Sequence, residues 1–167
     1  MNTHKTHQTN FQIQLRDVTS DDLPIFFQHQ QEPEAVWMAA FTAKDPSDKE
    51  AFMAHWHRLL QNETIIKKTI LVNGRVAGHL ARFERDGDPE ITYWLGQAWW
   101  GKGIMTKALT QYLNMEEKRP LYARVAKDNI PSLRVLQKCG FQIIGEDKGF
   151  ANARNAEIEE YILRLDT

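Results

Sequence analysis

The sequence predicts a single α/β domain, a mixed and mostly antiparallel sheet with helices on both faces. Three observations predict it. The chain has 167 residues, close to one domain of the usual size of roughly 100–200 residues. Segments of period two alternate with segments of helical period, in the order β-α-α-β-β-β-α-β-α-β-β. The strand–helix–strand unit across residues 90–126 makes two neighbouring strands parallel through a right-handed crossover.

Residues 1–9 are polar and read as a flexible tail, which leaves 10–167 as the domain. Phe11, Ile13 and Leu15 alternate with Gln12, Gln14 and Arg16 as a half-buried strand. Thr19 or Ser20 then caps a helix with Leu23, Phe26 and Phe27 on one face, and Pro24 is tolerated in its first turn. Asp45-Pro46 breaks the chain, and Ser47 with Glu50 reads as the capping box of a second helix that buries Phe52, Trp56, Leu59 and Leu60. Ile65–Val72 is a β-branched strand, and Asn73-Gly74 is a hairpin signal because a type I′ turn needs positive φ at both positions. In the strand from Arg75 to Glu84, Val76, Gly78 and Leu80 alternate with Ala77, His79 and Ala81. Asp86-Gly87-Asp88-Pro89 turns the chain into a third strand, Glu90–Leu95. A helix over Ile104–Arg119 stops at Pro120, and Leu121–Ala126 is a strand. Pro131 opens a short helix that Gly140 ends. Phe141–Ile144 and Glu157–Leu165 are the last strands, joined by a turn around Gly149–Arg154.

Composition narrows the function. Hydrophobic residues at 42% and charged residues at 26% exclude a disordered chain. Lys and Arg number 21 against 22 Asp and Glu, a net charge of −1, so nucleic acid is not expected as a partner. One cysteine, Cys139, excludes an intrachain disulfide and a Cys-based zinc site, and no metal is expected. The longest apolar run, Ala35–Phe41, is far short of the ~20 residues of a membrane span. With no apolar signal-peptide core near Met1, a cytoplasmic location is expected.

Two segments carry chemistry. Tyr93–Thr106 runs from a strand end through a glycine-bearing loop into a helix start. Helix N-termini present unpaired N–H groups and partial positive charge, so they suit anions. Gly101 and Gly103 permit close backbone approach, and Lys102 and Thr106 add a charge and a hydroxyl. The spacing is neither a Walker loop nor a dinucleotide fingerprint, and the same glycines also serve a plain strand-to-helix loop. In the second segment Asn129 and Ser132 stand three apart at a helix start, a pattern that also serves capping alone.

Together, W-G-K-G-I-x-T and, about 25 residues later, N-x-x-S-x-x-V-L-x-K-x-G-F resemble the GNAT superfamily of acyl-CoA-dependent N-acetyltransferases. The likeness is strongest to the branch that acetylates the N-termini of ribosomal proteins, and it extends over roughly residues 11–165. The resemblance implies a sheet whose central parallel strands splay apart to admit the pantetheine of acetyl-CoA. Trp100, Gly101, Lys102, Gly103, Ile104, Met105 and Thr106 would then hold the pyrophosphate. Trp94, Leu95 and Gly96 would pair with pantetheine, and Asn129 would contact it. Trp100 stands where the superfamily has Gln or Arg, and Met105 where it has Gly or Ala; the helical spacing of Met105 turns it into the core. The usual tyrosine acid is replaced by Leu136, which leaves Ser132 as the nearest hydroxyl for the leaving sulphur. Glu90 matches the position of a base, and His79 is an alternative base.

The implied acceptor is a primary amine, on a small molecule or a peptide, acylated directly in a ternary complex by a monomer or homodimer. Substrate would enter over residues 29–56. A catalytically silent acyl-CoA-binding module and an acyltransferase with another acyl donor are the alternatives.

Overall fold

The computed structural model describes residues 10–167, so the tail expected over 1–9 lies outside the described residues. Seven strands form one sheet in the order β1-β2-β3-β4-β5-β7-β6. They are β1 (Ile13–Asp17), β2 (Ile66–Val72), β3 (Arg75–Arg85), β4 (Asp88–Leu95), β5 (Leu121–Ala126), β6 (Gln142–Ala151) and β7 (Ala156–Leu165). The helices are α1 (Leu23–His29), α2 (Pro33–Ala39), α3 (Lys49–Gln61), α4 (Ile104–Met115) and α5 (Ile130–Lys138).

The predicted meander forms through two two-residue turns. Asn73 and Gly74 have φ of 50° and 79°, and Asp86 and Gly87 have φ of 52° and 85°, so both hairpins use positive φ at both turn positions. The helix α4 carries the chain across to β5, which lies parallel to β4 as the crossover argument requires. That pairing is a single register pair, Glu90 opposite Tyr122, whereas β3 and β4 pair along their length. The two central strands therefore part beyond Glu90.

Each face of the sheet is covered. Ile104, Met105, Ala108, Leu109 and Tyr112 of α4 pack with Leu136 of α5 against Ile70, Leu80, Ile91, Ala123 and Leu163 of the strands. A second cluster joins Leu23 and Phe26 of α1 to Trp56 of α3. The Phe26 and Trp56 rings lie 5.1 Å apart at a tilt of 48°, and both contact His79 of β3, Phe26 tilted at 4.6 Å and Trp56 edge-on at 4.9 Å.

Several expectations are corrected. The alternation in β3 breaks at Ala77, because Ile70 faces Gly78 while Leu71 faces Val76. Ala77 is the extra residue of a bulge, which puts Ala77 and Leu80 in one core cluster and Val76 beside the other. The cap of α3 is Asp48, whose carboxylate accepts from Ala51 N–H at 3.0 Å, while Ser47 bonds Asp45 instead. The chain between the two expected N-terminal helices holds a further helix, α2, with Pro33 in its first turn. The helix α4 ends at Met115, and Arg119 folds back to donate to the carbonyls of Leu113 and Glu116. The strand β6 runs on to Ala151, so the turn lies at residues 152–155. Its register sets Asp147 opposite Glu160, and Arg124 of β5 donates to both, at 3.0 and 2.8 Å.

Candidate active site

Where β4 and β5 part, a cleft of about 350 Å³ opens in the middle of the sheet. Glu90, Tyr93 and Trp94 line it from β4, Arg124 from β5, and Asn129, Ser132 and Leu136 from α5 and its cap. Of the residues expected in the site, the fold thus brings Glu90, Trp94, Asn129 and Ser132 to one cavity. Leu95 to Thr106 do not line it; they continue from the C-terminal end of β4 as the loop into α4.

That loop is built to expose backbone. Gly101 and Gly103 have φ of 72° and 73°, and a Cβ on either would meet nothing within 4 Å, so their need is conformational and the space beside them is open. Gly103 is the N-cap of α4. Among the described residues, no acceptor takes the backbone N–H of Gly103 through Thr106. Met105 is turned away into the core and is 6% exposed, so it does not crowd the loop. Trp100 donates its indole N–H to the Leu95 carbonyl at 2.8 Å, tying the loop back to the strand end. Lys102 bonds the Ala98 carbonyl and lies over the Trp99 ring, with Arg75 on the same ring. Gly96 is needed for a different reason: a Cβ there would stand 2.7 Å from the His29 ring.

At the other end of the cleft, Glu90 is buried and accepts from Arg85 through both oxygens, at 2.9 and 3.1 Å, with Arg124 at 3.6 Å. Asn129 caps α5, its side-chain oxygen accepting from Ser132 N–H at 3.3 Å. The Ser132 hydroxyl does not cap; it lies 2.7 Å from the phenol oxygen of Tyr93 across the cleft. His79 is absent from the lining, and burial, followed by the charge of nearby His29, pushes its imidazole down to about 3. Burial raises the Cys139 thiol, which contacts Thr106 and Thr110 on α4.

Sequence reasoning did not single out Tyr93, Arg85, Arg124 or Glu160. For Tyr93 the signal was present: a buried phenol in an apolar strand must find a hydrogen-bond partner. For the others the signal is only tertiary, because the register of three strands brings them together.

The helix α2 forms a wall over the cleft and is held from both sides. At its start, Glu32 and Glu34 accept from Gln97 at 2.9 and 2.6 Å, fixing α2 to the loop after β4. At its end, Arg154 stacks on Trp37 at 4.4 Å and forks onto Asp128, joining α2 to the β6–β7 turn. Ala39 and Phe41 at the end of this wall line the cleft. Among the described residues no helix is long and apolar enough to cross a membrane.

A parted central strand pair beside a glycine-bearing helix start is the architecture that the motifs implied, and known proteins share it. The sequence matches the acetyltransferase (GNAT) domain over residues 12–142, so the chain belongs to the GNAT acetyltransferase family. An uncharacterized N-acetyltransferase p20 of Bacillus licheniformis is 29% identical over 105 residues, 60% of this chain and 58% of that protein. The chain therefore matches less than two thirds of that relative's length. The ribosomal-protein-S5-alanine acetyltransferase of Vibrio fischeri superposes with a TM-score of 0.73 at 19% identity, over 92% of each chain. A spermidine N-acetyltransferase of Vibrio cholerae, in complex with CoA and spermine, gives 0.77 at 12% identity, over 93% of this chain and 95% of its own. At these identities the likeness is one of fold.

Proposed function

We propose that the protein transfers an acetyl group from acetyl-CoA to a primary amine, by direct attack in a ternary complex. The observation that carries this reading is the cleft between β4 and β5 continuing into a helix start whose N–H groups have no acceptor among the described residues. No atom lies within 4 Å of where a Cβ on Gly101 or Gly103 would stand, which leaves the backbone there open to an anion. Acetyl-CoA supplies an activated thioester. The amides from Gly101 to Thr106 hold its phosphates, with Lys102 adding charge. The backbone of Trp94 to Gly96 pairs with the pantetheine, and an N–H near Leu95 polarises the carbonyl, where charge grows during attack. Asn129 contacts the pantetheine arm, and Ser132 hydrogen-bonds the sulphur. Glu90 takes the proton of the incoming amine, directly or through water. Arg85, half exposed at 48%, swings off the carboxylate to let it do so, while Arg124 remains. Proximity of amine and thioester supplies much of the rate.

The acceptor is a protein N-terminus or a small-molecule amine. The ribosomal-protein branch rests on the motif resemblance and on the Vibrio fischeri fold match. We place the protein in the cytoplasm, as a monomer or homodimer. Leu136, at the position of the usual tyrosine acid, favours a second reading as a silent acyl-CoA-binding module. Calorimetric titration with acetyl-CoA, CoA and ADP, followed by an amine panel read by thiol release, separates the two. Binding with turnover of some amine supports the enzyme; binding without turnover of any supports the module. Absence of binding by all three removes both.

A further inference from the structure

The leaving sulphur needs a partner, and this chain lacks the tyrosine of α5 that usually provides one. Position 136 is leucine, 1% exposed and packed in the core. The opposite wall of the cleft carries a phenol instead. The Tyr93 oxygen lies 2.7 Å from Ser132 Oγ, where either hydroxyl can donate, and 3.2 Å from the Ser132 carbonyl, where only the phenol can. Both residues line the cleft.

We propose, resting on the acetyltransferase reading, that Tyr93 is a positioning residue. Its O–H, donated to Ser132 Oγ, turns the serine proton outward to the sulphur of the acyl donor.

The argument is one of proton count. The two hydroxyls have one proton each, and the shorter contact uses one of them. If serine donates to the phenol, its proton is spent, and the phenol is left to the carbonyl at the longer distance. If the phenol donates to serine, it gives up the carbonyl, but the serine proton is free for the cleft and polarised by the bond serine receives; a thiolate in the cleft selects this arrangement. Burial raises Tyr93 above the ordinary tyrosine range, so it keeps its proton and remains a donor rather than an acid. In the transfer the C–N bond forms as the C–S bond breaks, and the bonding pair leaves on sulphur. The serine hydroxyl stabilises that thiolate without giving up its proton. The amine's proton goes to the base, and the thiolate takes one from solvent on release.

The test needs no acceptor. The thiol of bound CoA is titrated by the ultraviolet absorbance of its thiolate. In the wild type its pKa is expected about one unit below that of free CoA, the size of one hydrogen bond to a charged group. Ser132→Ala abolishes the shift. Tyr93→Phe removes most of it while CoA affinity at low pH, where the thiol is neutral, stays at the wild-type level. The double variant matches Ser132→Ala alone, because the two act as a unit. Replacing tyrosine by 3-fluorotyrosine, a stronger donor on the same ring, deepens the shift without deleting a side chain. With an active amine, Tyr93→Phe lowers kcat about tenfold and leaves KM unchanged. A wild-type shift retained in Tyr93→Phe, or no shift in the wild type, overturns the assignment while leaving the acetyltransferase reading intact. Failure of CoA to bind at all overturns both.

Discussion

On the proposed reading, Gly103 serves fold and site together. Its left-handed φ of 73° starts α4, and the absence of a Cβ leaves its N–H open to an anion. Gly103→Val costs about 1–2 kcal/mol of backbone strain at its left-handed φ, the added Cβ itself meeting nothing within 4 Å. Calorimetry should read about a tenfold loss of CoA affinity as the loop shifts to relieve that strain; unchanged affinity removes the phosphate role. Glu90→Gln should lower turnover mainly at pH below the amine's pKa, where a proton must be removed before attack. A pH–rate profile identical to wild type would show that Glu90 is not the base. At this scale the sequence was informative where a residue's demand is local. The helical spacing of Met105 by itself turns it into the core. The partner of Ser132 was illegible, because Tyr93 lies 39 positions away and reaches it only through the closure of the sheet.

The elements were legible in type and less so in extent, for identifiable reasons. The bulge at Ala77 leaves no mark in composition, since every residue from Ala77 to Arg82 is buried in a strand covered on both sides. The strand β6 was truncated because Gly145-Glu-Asp-Lys-Gly149 has loop composition; it pairs because Arg124 and Lys127 neutralise its acids. The short apolar run of α2 lacks a polar face, so no helical period is legible there. The fixation of α2 makes a prediction at its own scale. Arg154→Ala removes the Trp37 stack and the fork to Asp128, so the end of α2 loosens over the cleft. The acceptor's KM should rise several-fold while CoA affinity holds; an unchanged KM would mean that this wall does not touch the acceptor. The end of α4 is joined to β3 by a buried ion pair, Arg82 to Glu116 at 2.8 Å, with Tyr112 donating to the same carboxylate. Glu116→Gln should cost about 3 kcal/mol in denaturant unfolding, because it strands a buried guanidinium. A cost below about 1 kcal/mol would show that the pair is solvated.

Across the whole molecule, two buried groups predict acid sensitivity. Burial, with the charge of His29, holds His79 down to about 3, well below its value of 6.5 in the unfolded chain. The unfolded state therefore binds the proton first. Stability from this group is complete above pH ~6.5 and is lost as pH falls toward ~3, by a few kcal/mol in all. Burial would raise Asp22, but bonds from Arg16, the Thr19 N–H and Thr69 outweigh it and hold its carboxyl to about 2. Its contribution is complete above pH ~3.8 and is lost as pH falls through ~2. The midpoint of thermal unfolding should drop from pH ~6.5 downward, and His79→Gln should flatten the drop above pH ~4. An equal slope in that variant would assign the sensitivity elsewhere. The seam between β4 and β5 has a dynamic consequence as well. A sheet joined at its centre by one register pair has two interior margins, so some amides in the middle of the strand order exchange with deuterium like those of an outer strand. Exchange mass spectrometry should find the peptide over residues 91–95 labelling faster than its β3 neighbour, and slowing when the pantetheine of CoA lies along it. The protein would then complete its own hydrogen-bond ladder only while it holds its donor.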